Sequence, residues 1–291
     1  MPIEPIKIDF KKDDKGKYFF INHEVMKLMQ LMAEHRFVSS AEVIKILGYK
    51  MKAWRKINDL QSSELINVFE TMPSIYNGIY WNVRMARKAF SLTRSGYQLL
   101  EKERHLRVFR RFYPSHYKIS SLPHTTASAQ AHIAFTTDYR IKEYFPENVI
   151  EAMNEKNRTV YRSNNPDLRP DAEFNFVDSE TKDLKRGAIE VELTKKMVSR
   201  YKAKCKEYLN RSDIKVVVWL CIDESIRKNI KRSFDDEIRR YEGLFRFINF
   251  NDLVKNGLKK AKVVDVNNNE LPDVLGGGRQ SLNPDLLEIG L

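Results

Sequence analysis

Residues 187–194 alternate between apolar and polar side chains, and this alternation constrains the fold more than any other stretch of the sequence. The residues are Gly-Ala-Ile-Glu-Val-Glu-Leu-Thr. A period of two is the repeat of a β-strand, in which successive side chains point to opposite faces of the sheet. The pattern therefore predicts a strand with apolar residues on one face and polar residues on the other: Ile189, Val191 and Leu193 against Glu190, Glu192 and Thr194.

The two glutamates on this strand indicate a site for a cation. Side chains two positions apart on a strand lie about 7 Å from each other, and two uncompensated carboxylates at that distance repel. A metal ion removes the repulsion, and Asp171, at the start of the preceding predicted strand, offers a third carboxylate. Carboxylate oxygens suit Mg²⁺ or Mn²⁺. Lys195 and Lys196 follow the strand and can stabilise the charge of a phosphate in a transition state.

These residues resemble the core motif of PD-(D/E)xK nucleases. Pro170-Asp171 precedes Glu190-x-Glu192 by 19 positions, and the two lysines follow. Glu192 stands where the motif has lysine, which leaves the catalytic lysine open between Lys195 and Lys196. The predicted order agrees with that fold: a helix, strands at 171–178 and 187–194, a helix at 196–209, a strand at 214–222, a helix at 225–241 and a strand at 244–250. We therefore expect an α/β restriction-endonuclease-like domain over residues 128–257. The alternative is an ordinary exposed strand whose acids pair with lysines.

The positive charge of the chain is concentrated in its N-terminal third. The 291 residues carry a net charge of +12, and residues 1–112 alone hold 21 Lys and Arg against 12 Asp and Glu. An excess of cations interleaved with apolar residues favours an anionic partner such as double-stranded DNA.

The apolar periodicity of residues 21–112 predicts a winged helix-turn-helix domain, which together with the nuclease-like domain gives a chain of the mixed α+β class. A helix begins after Asn22, a short helix after Ser39 ends at Gly48, and a basic third helix covers residues 50–60 with Met51, Trp54 and Ile57 inward. Strands at 65–70, 79–83 and 89–92 follow, and residues 90–96 resemble the end of many bacterial winged helix-turn-helix domains. We expect DNA contacts from seven cations on the third helix and the wing: Lys50, Lys52, Arg55, Lys56, Arg84, Arg87 and Lys88. The alternative is a protein-interaction module.

The remaining segments are predicted to be an N-terminal arm (1–20), a linker (113–127) and a flexible C-terminal tail (258–291). A helix that keeps its spacing from Ala129 to Pro146 is expected to open the second domain. The longest apolar run, residues 216–222, is too short to span a membrane. No secretory signal is recognisable at the N-terminus, so we expect a cytoplasmic bacterial protein that does not contact the membrane.

Four motifs of the second predicted domain, together with the N-terminal winged helix, resemble the replication-relaxation family, which includes MobC-type plasmid relaxases. They are His132 with Arg140, residues 169–172, residues 189–194, and Lys204-x-x-x-Tyr208. The resemblance implies a mobilisation protein that binds an origin of transfer and nicks one DNA strand at a metal site of Asp171, Glu190 and Glu192. It implies Lys196 as the charge stabiliser, with Lys195 as a substitute. Relaxosome accessory or coupling proteins are possible partners.

Two further residues have competing interpretations. His132 is expected on the core side of its helix, either as a hydrogen-bonded core residue or as a phosphate contact. Tyr208 is either a packing residue or a nucleophile that forms a covalent DNA intermediate.

The same residues are compatible with two other functions. One is a sequence-specific replication or transcription regulator whose nuclease fold has lost its chemistry. The other is a restriction-type or transposase-type endonuclease, which would cut both strands.

Overall fold

The computed structural model describes residues 6–9, 18–70, 88–102, 121–157 and 169–276. The fold is mixed α+β, as predicted. The chain divides into two compact units. The first unit comprises residues 1–130 and 148–160, and the second comprises residues 131–147 and 161–291.

The first unit is built from helices and a small antiparallel sheet. The three strands pair in the order β3-β5-β4, and a separate hairpin joins β1 to β2 within and just beyond the predicted arm. The elements in chain order are β1 (Ile6–Asp9), β2 (Tyr18–Ile21), α1 (His23–His35), β3 (Val38–Ser39), α2 (Ser40–Leu47), α3 (Lys50–Ser62), β4 (Ile66–Glu70), β5 (Lys88–Leu92) and α4 (Arg94–Lys102).

The helix starts predicted for this unit are confirmed. The Asn22 side chain accepts a hydrogen bond from the Val25 N–H at 3.0 Å and caps α1. Ser39 caps α2 in a capping box with Glu42, and Gly48 ends that helix with a φ of 92°. Met51 was predicted to face inward, but it is 72% exposed. The buried face of α3 consists of Ala53, Ile57 and Leu60, and Met51 does not share their helical spacing. The predicted strand at 79–83 lies outside the described residues.

The first unit extends beyond residue 112. The helix α5 (Leu122–Thr136) begins inside the predicted linker, and residues up to Gln130 belong to the first unit. The Asn148 side-chain amide donates to the Ala33 carbonyl at 3.0 Å, and Arg36 pairs with Glu151 at 2.7 Å. These bonds hold the helix α6 (Glu147–Asn157) against the end of α1.

The second unit contains a seven-stranded sheet in the order β12-β11-β10-β9-β8-β7-β6. Strands β8, β9 and β10 are parallel to one another, and the remaining pairs are antiparallel. The elements are β6 (Ile141–Pro146), β7 (Ala172–Val177), β8 (Leu184–Glu192), α7 (Val198–Leu209), β9 (Ile214–Cys221), α8 (Glu224–Lys231), α9 (Asp236–Arg239), a 3₁₀ helix (Glu242–Leu244), β10 (Phe245–Asn249), α10 (Phe250–Asn256), β11 (Val263–Val264) and β12 (Glu270–Leu271).

Three predicted elements differ from the structure. The helix predicted up to Pro146 ends at Thr136, because a turn at Asp138 leads into β6, which pairs with β7. The predicted helix 225–241 is broken into α8 and α9. Residues 258–276 do not form a flexible tail: β11 and β12 extend the sheet, and Val274 and Leu275 are buried. No helix in the described ranges has the length and apolar character needed to cross a membrane.

Candidate functional site

Strand pairing brings Asp171 to the backbone of the strand that carries the two glutamates. The Asp171 N–H donates to the Ile189 carbonyl at 3.1 Å, immediately before β7 pairs with β8. The Asp171 carboxylate in turn accepts a hydrogen bond from the Val191 N–H at 2.6 Å. Its side chain is therefore fixed beside the segment from Glu190 to Glu192. We call Asp171, Glu190 and Glu192 the acid cluster.

Both glutamates of the acid cluster are buried. Glu190 is 0% exposed and Glu192 is 1% exposed, and the alternating residues Ile189 and Val191 are buried as well. The strand is therefore covered on both faces, as is common for a strand that has a parallel neighbour in the middle of a sheet. A buried carboxylate needs a partner, because burial strongly disfavours its charged form.

Helix α7 supplies the partners of Glu190. Lys204 forms an ion pair with Glu190 at 2.5 Å, and the Tyr208 hydroxyl donates a hydrogen bond to the same carboxylate. Lys204 and Tyr208 are four residues apart, which places both on one face of the helix. Burial raises the pKa of Glu190 to about 8, although the charge of Lys204 opposes this.

Lys204 is itself buried, with only 6% of its surface exposed. Burial alone would lower its pKa, but the charge of Glu190, followed by that of Asp171, outweighs burial, and the pKa is raised. The ammonium group of Lys204 therefore remains charged inside the protein.

Glu192 has a second lysine and a second tyrosine as neighbours. Lys196 forms an ion pair with Glu192 at 2.7 Å, and the Tyr201 hydroxyl lies 3.5 Å from the other carboxylate oxygen. Burial raises the pKa of Glu192, and the charge of Lys196 opposes the rise. Lys196 is 27% exposed, whereas its partner is buried. This lysine therefore lies where the acid cluster meets solvent.

Lys195 differs from Lys196. Its side chain is exposed, and no ion pair joins it to either glutamate among the residues that the structure describes. Of the two lysines between which the sequence left the charge-stabilising role open, Lys196 is the one in contact with the acid cluster.

The acid cluster has donor atoms of the type that Mg²⁺ or Mn²⁺ prefers, but they are engaged with protein groups. The glutamates bind lysine, and Asp171 accepts from a backbone N–H. Within the described ranges, no group of three or more His, Cys, Asp or Glu side chains is placed to hold a metal ion. Yet the charge of Asp171 contributes to raising the pKa of both glutamates, after burial. The acid cluster and its two lysines are therefore electrostatically coupled, and its donor atoms alone, carboxylate oxygens, are of the type that a hard cation prefers.

The cations predicted to contact DNA fall into three groups. Lys50 and Arg55 are exposed on α3, and Lys56 is half-buried on the same helix. Lys52 pairs with Glu24 at 2.8 Å, and Lys88 pairs with Glu70 at 3.5 Å and lies over the ring of Trp54. Arg84 and Arg87 lie outside the described residues. The exposed surface at the start of α3 also includes Tyr49 and Met51.

His132 and Tyr208 have different surroundings. The His132 ring stacks on Tyr144 with a centroid distance of 4.2 Å and an interplanar angle of 10°, and it is half-buried. Tyr208 is 2% exposed, and its hydroxyl is bound to Glu190.

Sequence reasoning overlooked the roles of Lys204 and Tyr201. The sequence indicated Lys204 only as part of the Lys204-x-x-x-Tyr208 motif. The usable signal was the spacing of Tyr201, Lys204 and Tyr208, which places all three on the buried face of α7. A lysine on such a face requires a buried acid.

Comparison with known proteins gives one family. The sequence model of the family described as replication-relaxation matches residues 29–215, which is more than half of the 291-residue chain. No curated protein and no solved structure matches the chain. The match includes α3, β7, the acid cluster and the lysines and tyrosines that contact it. The chain belongs to the replication-relaxation family.

Proposed function

We propose that this protein nicks one strand of DNA in a metal-dependent reaction at the origin of transfer of a plasmid or another mobile element. The observation that carries the proposal is the acid cluster: Asp171, just before β7, is hydrogen-bonded to the β8 backbone between the two glutamates and raises the pKa of both, and Lys196 lies at the boundary with solvent. Membership of the replication-relaxation family supports a role in replication or mobilisation.

The second unit would supply the chemistry in a PD-(D/E)xK-like arrangement. Asp171, Glu190 and Glu192 would hold Mg²⁺ or Mn²⁺, and the ion would polarise the phosphate and make a bound water more acidic. Lys196 is partly exposed and would place its ammonium group against the scissile phosphate. Tyr208 is buried and donates to Glu190, which favours water over this tyrosine as the nucleophile.

The first unit would recognise the DNA as a winged helix-turn-helix. Its order of α1, α2 and α3 followed by the β4–β5 pair supports this assignment. Lys50 and Arg55 are exposed on α3, where they would contact the phosphates and base edges of the major groove.

The nicking activity is tested with supercoiled plasmid that carries the protein's own transfer origin, incubated with Mg²⁺ or Mn²⁺. We expect conversion to the open-circular form, and loss of this conversion by at least about 100-fold in Asp171→Ala and Glu190→Gln, as expected when electrostatic stabilisation of a transition state is removed. Glu180→Gln is the matched control, because Glu180 is exposed on the turn between β7 and β8. A wild-type protein that binds the origin but leaves it intact would contradict the proposal. Linear product would instead indicate a double-strand endonuclease.

One observation favours a second candidate function, a DNA-binding regulator without catalysis. Both glutamates of the acid cluster are already neutralised by lysines, so the arrangement is also suited to a purely structural role. In that case Asp171→Ala, which keeps both pairs of glutamate and lysine, would leave origin binding and the biological function of the protein unchanged.

A further inference from the structure

A cavity of about 540 Å³ lies in the second unit, between the end of α8, the helix α9 and the turn that joins β11 to β12. Four cationic side chains line it, namely Lys228, Lys231, Arg232 and Arg239. We call it the basic cavity. Among the described residues of its lining, Glu224 is the one acid, and this carboxylate is paired with Arg227 at 2.5 Å. The lining therefore carries a clear excess of positive charge.

The position of these cations is not explained by the stability of α8 alone. Three of the cations lie at positions i, i+3 and i+4 of the helix, namely Lys228, Lys231 and Arg232. This spacing places them on one side of the helix, where like charges repel. Cations at the end of a helix complement its dipole, but Arg239 comes from α9 and lines the same cavity. Burial, followed by the charge of Arg227, lowers the pKa of Lys231. An anion in the cavity would reduce the repulsion among these cations and stabilise the charged form of Lys231.

The basic cavity is connected to the acid cluster through α8. The strand before α8 ends at Cys221, which pairs in register with Glu192. The Asn229 side-chain amide donates to the Lys196 carbonyl at 2.7 Å. Helix α8 has eight residues and rises roughly 12 Å, which is about the axial length of three to four nucleotides of one DNA strand. A DNA strand bound at Lys196 therefore needs to extend by only a few nucleotides to reach the basic cavity.

We propose that the basic cavity binds the phosphodiester backbone of the DNA strand that passes the acid cluster. Lys228, Arg232 and Arg239 contact successive phosphates, and Asn267 and Asn268 of the β11–β12 turn add neutral donors at the edge of the cavity. The assignment of DNA as the ligand rests on the proposed function; the phosphate chemistry rests on the cavity itself.

The test is strand binding by the full chain without catalysis. A fluorescent single-stranded oligonucleotide of about 15 nucleotides, within the usual range of single-strand sites, is titrated in EDTA by fluorescence anisotropy. The variant Lys228→Gln/Arg232→Gln/Arg239→Gln removes three of the four cations and leaves Lys231, which donates to Asn268 at 2.9 Å. The matched control is Lys142→Gln/Arg240→Gln/Lys255→Gln, which has the same change in charge at exposed positions outside the lining.

We expect the cavity variant to bind about tenfold more weakly at moderate salt, with the slope of log affinity against log salt reduced by about 2, since each single-strand phosphate contact contributes about 0.7. We expect the control variant to bind as the wild type does. Equal binding by the two variants, with both unfolding at the wild-type urea midpoint, would overturn the proposal. Inorganic phosphate is added at a concentration equal to that of the phosphate groups of the oligonucleotide. Displacement of the oligonucleotide under these conditions would also overturn the proposal, because the cavity would then be a site for free anions.

The outcome is separable from that of the nicking assay. If nicking fails while the cavity variant still loses strand binding, the proposed function falls and the basic cavity stands. If nicking occurs while the cavity variant binds the strand as tightly as the control, only the basic cavity falls.

Discussion

At the scale of single residues, the ion pair of Lys204 and Glu190 is the most demanding feature of the second unit. Both side chains are buried, and each would lose several kcal/mol of hydration if it remained charged without a partner. The Tyr208 hydroxyl provides Glu190 with a further hydrogen bond. The three groups therefore depend on one another, and the loss of one leaves the others uncompensated.

Removal of the cation from this pair is expected to destabilise the fold. Lys204→Met leaves Glu190 without its counter-charge and should lower the free energy of unfolding by about 3 kcal/mol or more. Urea unfolding followed by circular dichroism measures the change. Lys202→Met is the matched control on the same helix, because Lys202 pairs with Asp235 at the surface and should contribute below about 1 kcal/mol.

A second substitution tests the cause of that loss. In Lys204→Met/Glu190→Gln neither side chain of the pair is charged. The amide oxygen can still accept a hydrogen bond from the Tyr208 hydroxyl. We expect this double variant to recover most of the stability. If it were as unstable as Lys204→Met, packing rather than charge would explain the effect.

At the scale of elements, the capping box of α2 makes stability depend on pH. Glu42 is buried; it accepts from the Ser39 N–H at 2.5 Å and is hydrogen-bonded to the Gln130 amide. Burial raises its pKa from 4.5 to about 7, against the effect of these hydrogen bonds. Between these two values the folded chain binds more protons than the unfolded chain, so the contribution of Glu42 to stability falls as the pH rises.

The variant Glu42→Gln is expected to remove this dependence. An amide oxygen can keep the hydrogen bond from Ser39 but has no proton to release. Relative to the wild type, the variant should gain about 2 to 3 kcal/mol between pH 5 and pH 8, as the pKa shift requires. Urea midpoints at the two pH values measure this. Glu101→Gln, an exposed position on α4, should show no such gain.

The start of α4 requires a glycine for a steric reason. A Cβ on Gly96 would overlap the carbonyl oxygen of Leu65 and press on the Leu92 side chain. Thr93 fixes this close approach, since its hydroxyl accepts from the Gly96 N–H at 3.1 Å. Gly96→Ala should therefore lower the melting temperature and cost about 1 to 3 kcal/mol, as overpacking does. Gly243→Ala is the control, because a Cβ there meets nothing within 4 Å; equal loss in both would contradict the steric explanation.

Elements whose ends or periodicity are marked by their own residues could be predicted from the sequence. Elements that form only by pairing with residues distant in the sequence could not. Asn22, Ser39 and Gly48 mark helix ends by their own chemistry, and the alternation in β8 marks a strand. Residues 141–146 also fit a helical spacing, and only pairing with β7 makes them a strand. The acid cluster was predictable because Glu190 and Glu192 are two positions apart. Lys204 was not, because its contact with Glu190 depends on how α7 packs on the sheet.

At the scale of the whole molecule, residues 258–276 illustrate why a largely polar segment without a clear periodicity can still be structural. Each of its strands has only two residues, too few to produce an alternation in the sequence. Arg140 fixes the segment through an ion pair with Asp273, and the same guanidinium binds Asp138 at 2.7 Å. Val274 and Leu275 are buried beyond this point. The segment completes the sheet edge next to β10.

Deletion of residues 258–291 should therefore damage the fold, whereas deletion of residues 277–291 leaves every described contact in place. The longer deletion exposes the edge of β10 and the apolar surface that Val263 and Val264 cover, and an unpaired, apolar edge strand promotes aggregation. We expect the longer deletion to elute as aggregates in size-exclusion chromatography and to lose its cooperative thermal transition. The shorter deletion keeps β11, β12 and the buried Val274 and Leu275, and should elute as a single species with a cooperative thermal transition. A soluble, cooperatively melting product from the longer deletion would show that β10 ends the sheet on its own and that β11 and β12 are dispensable.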